Sequence, residues 1–264
     1  MTVRFLQNIK PLAGVVLVSA IAACSGDVTG SSLHPMKLSF TSGASAVASA
    51  SAPSSNLAVG TAGNFNITKV QVVLDKIELN DDETRSCVAE IEDAGDDHAE
   101  VGDECEDVSR DPVLVDIPVD GTLKAALNVP LSAGSYSKLE AKLEPARSDA
   151  TAFNAANTDL VGKSVRVEGT FGSAATPFVF TSSVRAGLEM SFNPPLVIDA
   201  TTTNATVSID VSKWFLDSSG NAIDPNSATP GSAALQKIED NIRRSFHAFE
   251  DDDESGTDDH GGDR

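Results

Sequence analysis

FNITKVQVVLDKIEL, residues 65–79, is the most β-like stretch of the chain. Val70, Val72 and Leu74 share one face of a strand, because successive strand side chains point to opposite faces. Ile77 and Leu79 fall on the other parity. Keeping both sets on one face takes one extra residue, so a β-bulge is expected near Asp75-Lys76. Upstream, Met36, Leu38 and Phe40 alternate and predict a first short strand over 36–41. Residues 42–63 are mostly Ser, Ala and Gly and read as a long loop. Downstream, Val113, Val115, Ile117 and Val119 alternate, and Thr122–Val129 reads as a further strand. Leu139, Ala141 and Leu143 then alternate with Lys138, Glu140 and Lys142. Tyr136 sits on the charged parity, so it either turns inward or lies at an edge. The pattern continues at Val165, Val167 and Phe171, at Phe178 and Phe180, and at Leu188, Met190 and Phe192. It ends with Leu196–Ile198 and with Val207, Ile209 and Val211 leading to Trp214, placed as a core residue. Many short strands between turn residues predict a mainly β chain: an antiparallel β-sandwich, immunoglobulin-like or transthyretin-like, over residues 36–219.

The period changes after a 220–231 linker. Leu235, Ile238, Ile242, Phe246 and Phe249 recur at three and four residues, which predicts one amphipathic helix over 232–250. Glu239 with Arg243, and Asp240 with Arg244, sit four apart on its other side. The helix docks on the sandwich or on a partner. An acidic, disordered tail over 251–264 is expected to follow.

The 264 residues carry 19 Lys+Arg against 39 Asp+Glu, a net charge of −20. That balance excludes a general nucleic-acid binder, whose affinity comes from clustered Lys and Arg. The charge is local. Residues 81–111 hold 14 acids and two bases, and residues 250–264 hold eight acids and one base. Such runs usually keep proteins solvated and apart. They also supply the oxygens that Ca²⁺ needs. Asp251, Asp253, Ser255 and Gly256 fill the first, third, fifth and sixth places of an EF-hand-like loop. The twelfth place is Gly262 rather than a bidentate Glu, and no second helix follows. No cofactor is expected, apart from Ca²⁺ should Asp251, Asp253 and Ser255, the candidate metal ligands, hold one.

The amino terminus has the build of an export signal. Arg4 and Lys10 precede an apolar run, Pro11–Ala23, which is shorter than the roughly 20 residues a bilayer span needs. Ile21-Ala22-Ala23-Cys24 resembles the lipobox of bacterial lipoproteins. The resemblance implies cleavage before Cys24, diacylglycerol on its sulfur and an acyl chain such as palmitate on the new terminus. Two or more chains anchor stably where one is marginal. Ser25, rather than Asp, follows the anchor, which by analogy favours the outer membrane. Residues 24–35 read as a tether. Cys87 and Cys105 remain, in a compartment where disulfides persist, and read as one bridge in an acidic loop over 81–111. A metal site is the alternative, but two cysteines with only His98 between them make a poor zinc set.

Three segments carry a further resemblance. Asn66–Gln71 through Glu78-Leu79, then Pro112–Pro118, then Leu131-Ser132-Ala133-Gly134-Ser135-Tyr136, resemble a domain of unknown function in bacterial cell-envelope lipoproteins. The Gly-x-Tyr step is similar to that of transthyretin-like and carboxypeptidase-regulatory-like sandwiches. The resemblance spans about 60–215 and implies a β-sandwich at the envelope, with no assigned activity. This chain departs from it by the acidic Cys loop, the terminal helix and the tail.

Catalytic patterns are missing from the sequence. There is no G-x-S-x-G, H-E-x-x-H or G-x-x-x-x-G-K-[ST]. His34, His98, His247 and His260 all fall outside the predicted core strands. The reading is therefore a non-enzymatic, membrane-anchored structural or binding module with a protein partner or unknown ligand. The alternatives are a Ca²⁺-responsive envelope module and a hydrolase on an unrecognised site.

Overall fold

The computed structural model describes residues 33–42, 57–59, 65–81, 105–201 and 204–259. Its strands are β1 (Leu33–Ser42), β2 (Leu57–Val59), β3 (Phe65–Asn80), β4 (Cys105–Ser109), β5 (Val113–Ile117) and β6 (Lys124–Ser132). They continue with β7 (Gly134–Leu143), β8 (Val165–Phe171), β9 (Thr176–Ser182), β10 (Ala186–Ile198), β11 (Asn204–Ile209) and β12 (Phe246–Glu250). Two α-helices, α1 (Thr151–Ala156) and α2 (Ala233–Arg243), and three short 3₁₀ turns complete the described elements. The chain is mainly β, with two antiparallel-rich sheets in a sandwich-like arrangement.

Strand β3 is the spine of the larger sheet. One edge pairs first with β8, from Phe65 to Val72, and then with β7, from Leu74 to Asn80. The other edge pairs with β2 at Phe65–Ile67, β5 at Val70–Leu74 and β4 at Ile77–Asn80. All of these pairings are antiparallel. Strands β9 and β10 extend the sheet beyond β8 and β7. The expected bulge is present: the β3–β7 register shifts between Asp75 and Ile77, and Lys76 takes a left-handed φ of 50°. Val70, Val72, Leu74, Ile77 and Leu79 are consequently all buried.

The smaller sheet runs β12-β11-β1-β6. Its β1–β11 pair is parallel, so the sandwich is not purely antiparallel. That pairing joins residues more than 160 positions apart, for example Lys37 with Asn204, and no local pattern encodes it. Gly134 opens β7 directly after β6 and carries the chain from one sheet to the other. Tyr136 turns inward there, and its hydroxyl donates to the Ser132 carbonyl at 3.0 Å. The geometry matches the tyrosine corner of Greek-key sandwiches. Both sheets contribute to one core, with Phe215 set among Phe65, Phe178 and Phe180 at centroid distances of 5.3–5.8 Å.

Several boundaries differ from the sequence reading. The helix expected over 232–250 stops at Arg243, and residues 246–250 form strand β12. Phe246 and Phe249 fit a helical spacing, but β11 has an edge to satisfy, and Phe246–Glu250 supplies its ladder. Ser245 marks the switch: its hydroxyl donates to the Ile242 carbonyl at 2.7 Å and accepts from Trp214 Nε1 at 2.8 Å. Ser232 caps the start of α2 by accepting from the Leu235 amide, as N-cap serines do. Ile238 and Ile242 are fully buried, so α2 docks on the sandwich. Arg243 pairs with both Glu239 and Asp240. Leu33–Pro35, read as tether, already belong to β1, where the ladder with β6 holds them. The 42–63 loop contains β2, and the acidic 81–111 loop ends in β4, because the edge of β3 offers unpaired backbone groups to both. Residues 186–198 make one strand where two are expected, bent by a register shift between Ser191 and Leu196. The 220–231 linker is packed: Pro225 is buried, and Ala222, Ile223 and Ala228 lie against the core.

Asp75 points away from the core face and is still buried, with one carboxylate oxygen unbonded. Burial raises its pKa above the ordinary carboxylate value, against the pull of Arg147 at 3.6 Å.

Gly169 tests this register. It stands where the β3–β8 pairing shifts, between Ile67 and Lys69. A Cβ there would lie 2.4 Å from the Asn66 carbonyl oxygen, so the backbone must move. Gly169→Ala is expected to destabilise the fold by about 1–3 kcal/mol in chemical denaturation. An unchanged midpoint would contradict the pairing.

Candidate metal-binding turn

The chain leaves β12 at Asp251, whose amide donates to the Asn204 carbonyl at 3.3 Å. The Asp251 side chain is fully buried, a cost a carboxylate bears only when well bonded. Its Oδ2 accepts from Thr206 Oγ1 at 2.8 Å and from the Gly256 amide at 3.0 Å. Its Oδ1 accepts from the Ser255 amide at 2.8 Å. Asn204 Nδ2 donates to the Asp251 carbonyl at 2.8 Å, and Ser39 Oγ donates to Asn204 Oδ1 at 2.9 Å. The network ties the turn to β11 and β1.

Residues 251–259 are therefore a closed turn rather than the disordered tail expected. Glu254 and Gly256 take φ of 54° and 77°, the left-handed conformation that lets the backbone double back. Asp253 Oδ1 accepts from the Ser255 amide at 2.9 Å. Hydrogen bonds from Ser255, first among its influences, hold the Asp253 pKa below the ordinary carboxylate value. Asp259 closes the loop: its amide donates to the Glu250 carbonyl at 3.2 Å, and its Oδ2 accepts from the Asp252 amide at 2.7 Å.

One carboxylate oxygen from each of Asp251, Asp253 and Asp259 lies within 4.8 Å of the others. Asp251 is buried and the other two are exposed. Of the three candidate ligands read from the sequence, Asp251 and Asp253 join this cluster. Ser255 lies in the same turn, where its amide bonds both aspartates and its hydroxyl pairs with Thr257 Oγ1 at 2.6 Å. Asp259 was missed. It fills the ninth place of the same loop, a ligand position of EF-hands, and that spacing was the available signal. Hard oxygen donors of this kind suit Ca²⁺.

Other expected site residues lie elsewhere. Cys24 and Cys87 fall outside the described residues, and Cys105 is placed only as the backbone start of β4, opposite Asn80. His98 and His260 are also outside the described residues. His247 is exposed on β12. Trp214 is fully buried.

No family model matches the chain, and no curated protein matches it. Among solved structures, MbnP from Methylosinus trichosporium is similar over 77% of this chain and 87% of its own length. The identity is 12% and the TM-score 0.37, too low for the likeness to carry an argument.

The bonding around Asp251 makes it the anchor of the turn. Asp251→Ala strands Thr206, Ser255 and Gly256 donors at a buried position, and is expected to cost about 2–3 kcal/mol by denaturant titration. A variant as stable as the parent would mean that the turn does not hold to the sheet.

Proposed function

We propose that this chain is an exported bacterial lipoprotein, a non-catalytic structural or binding module held at the cell envelope by acylated Cys24. The single observation that carries the reading is Ile21-Ala22-Ala23-Cys24 behind the apolar run Pro11–Ala23 and its Arg4 and Lys10 flank. Ser25 after the anchor supports the outer membrane as its destination. Among the described residues, no helix is long and apolar enough to cross a membrane. The three-segment resemblance to envelope lipoproteins, and the Cys87–Cys105 bridge in an oxidising compartment, belong to the same proposal. The sandwich gives such a module a rigid body on its anchor, and its partner or ligand follows from its surface. In cells fed an alkyne fatty acid, the wild-type chain takes up label. Cys24→Ala is expected to lose the label and keep residues 1–23, as read by mass spectrometry. A labelled Cys24→Ala chain would remove the anchor from the account.

A second reading is favoured by the cluster of Asp251, Asp253 and Asp259. In it the module responds to Ca²⁺. Weak extracellular sites bind near 10⁻⁴–10⁻³ M, so roughly 10 mM Ca²⁺ should raise Tm by about 3–8 °C. Asp253→Asn with Asp259→Asn should abolish the rise while leaving the metal-free Tm close to the parent. The same Tm with and without Ca²⁺ would sink this reading and leave the anchor untouched.

A further inference from the structure

Strand β12 is the edge of the smaller sheet, and β10, the edge of the larger one, runs beside it with no ladder between them. The hydrogen bonds at the two ends of β12 fix which of its backbone groups turn away from β11. The Asp210 amide donates to the Ser245 carbonyl at 2.9 Å, and the Asp251 amide to the Asn204 carbonyl at 3.3 Å. Antiparallel pairs alternate between bonded and unbonded. With that phase, His247 and Phe249 bond β11, and the backbone groups of Phe246, Ala248 and Glu250 point the other way. They face a groove of about 390 Å³ between β12 and β10. No described residue bonds the outward groups of Phe246 and Ala248. The outward carbonyl of Glu250 differs, because it accepts from the Asp259 amide at 3.2 Å.

That bond brings the chain back onto the edge it has just left. Asp259 is held there a second time, since its Oδ2 accepts from the Asp252 amide at 2.7 Å. Glu250 and Asp259 thus form the closing pair of a hairpin whose loop is the aspartate turn. The next residues, His260-Gly261-Gly262-Asp263, lie outside the described residues and start from the groove, which Asp258 lines. Antiparallel continuation from the Glu250–Asp259 pair leaves one register. Gly261 falls opposite Ala248 and Asp263 opposite Phe246, the two residues whose outward groups need partners. The residue types suit these places. Opposite residues share a face of the sheet, and Phe246 and Ala248 pack toward the core. Gly261 therefore brings no side chain into the seam beside β10, and glycine in a strand marks such close approaches. Asp263 comes beside Arg243, which lines the same hollow as Phe246. We infer that residues 260–263 add to β12 as a further strand of the smaller sheet and occupy the β10–β12 groove. An open edge strand is a template for pairing with another chain, and this segment closes it. The inference goes beyond the envelope reading and does not depend on the anchor.

The test is amide hydrogen exchange of the full chain in detergent, read residue by residue by NMR, beside a chain stopped after Asp259. In the full chain the Phe246 and Ala248 amides are expected to be protected. Stopping the chain after Asp259 should speed both by about tenfold, the scale of one lost hydrogen bond. The His247 and Phe249 amides, which bond β11, should stay slow and show that β12 is in place. Gly261→Pro keeps the chain length, cannot donate to the Ala248 carbonyl, and should speed Ala248 by a similar factor while His247 stays slow. Equal rates at Phe246 and Ala248 in the full and shortened chains would overturn the inference, as would an Ala248 rate unmoved by Gly261→Pro. Protection that rises with protein concentration would put a second copy on the edge and overturn it too. None of these readouts involves Cys24, so a missing anchor and a missing strand are told apart.

Discussion

Strand β3 is hydrogen-bonded along both edges for nearly its whole length. Its 16 residues span about 50 Å at 3.3 Å each, longer than any one neighbour in the sheet. On each edge the neighbours follow one another: β8 then β7, and β5 then β4. Two half-sheets are thereby joined by one strand, and a single residue decides whether they share a core. Without the extra residue at Lys76, Ile77 and Leu79 would face outward, because a one-residue slip moves every later side chain to the other face. With it, and with the earlier register shift between Ile67 and Lys69, the apolar row runs from Phe65 to Leu79. The cost appears on the outer face, where Asp75, Glu78 and Asn80 are buried. Asp75 is the clearest case, since desolvation pushes its pKa up even with Arg147 close by.

The carboxyl-terminal part closes the smaller sheet by the same logic of meeting backbone and polar demands. Trp214 is fully buried, and its indole N–H finds Ser245. Ser245 follows the end of α2 at Arg243 and leads the chain into β12. Asn241 on α2 donates to the carbonyls of Lys213, Trp214 and Leu216, so helix and core segment are stitched twice. Five residues of strand then deliver Asp251 to the end of β11, beside Asn204 and Thr206. An acidic segment that composition alone assigns to solvent is held by one buried carboxylate.

What could be read from the residues follows the range of the interaction that fixes them. Alternation and parity are local, and they placed β3, its bulge, β7, β8 and β9. The residues alone leave the direction of Tyr136 open, because its parity argues outward and only the corner geometry turns it in. The helix start at Ser232 is a local cap and was legible. The helix end was not, because Phe246 and Phe249 satisfy a 3.6 period and a strand alike, and the pairing partner is β11, some 40 residues back. Strand β2 is only three residues long, β4 carries little apolar pattern, and both pair where β3 has edges to fill. The parallel β1–β11 pair is the extreme case, set wholly by tertiary assembly. In the turn, the loop spacing gave Asp251 and Asp253, while attention to the twelfth place hid the ninth.

Strand β12 links the two surfaces that give this molecule its chemical character. Its inward backbone groups build the ladder to β11, its outward ones face the groove, and its last residue leads into the aspartate turn. The sites also share structure directly. Asp259 of the turn donates its amide to Glu250, and Glu250 and Asp258 line the groove. A cation held by the turn would lower the negative potential around Glu250 and Asp258 beside it, and screening limits that influence to about 8 Å at physiological salt. The influence therefore stays within this corner of the sandwich, where a short edge strand and one buried aspartate fix the geometry.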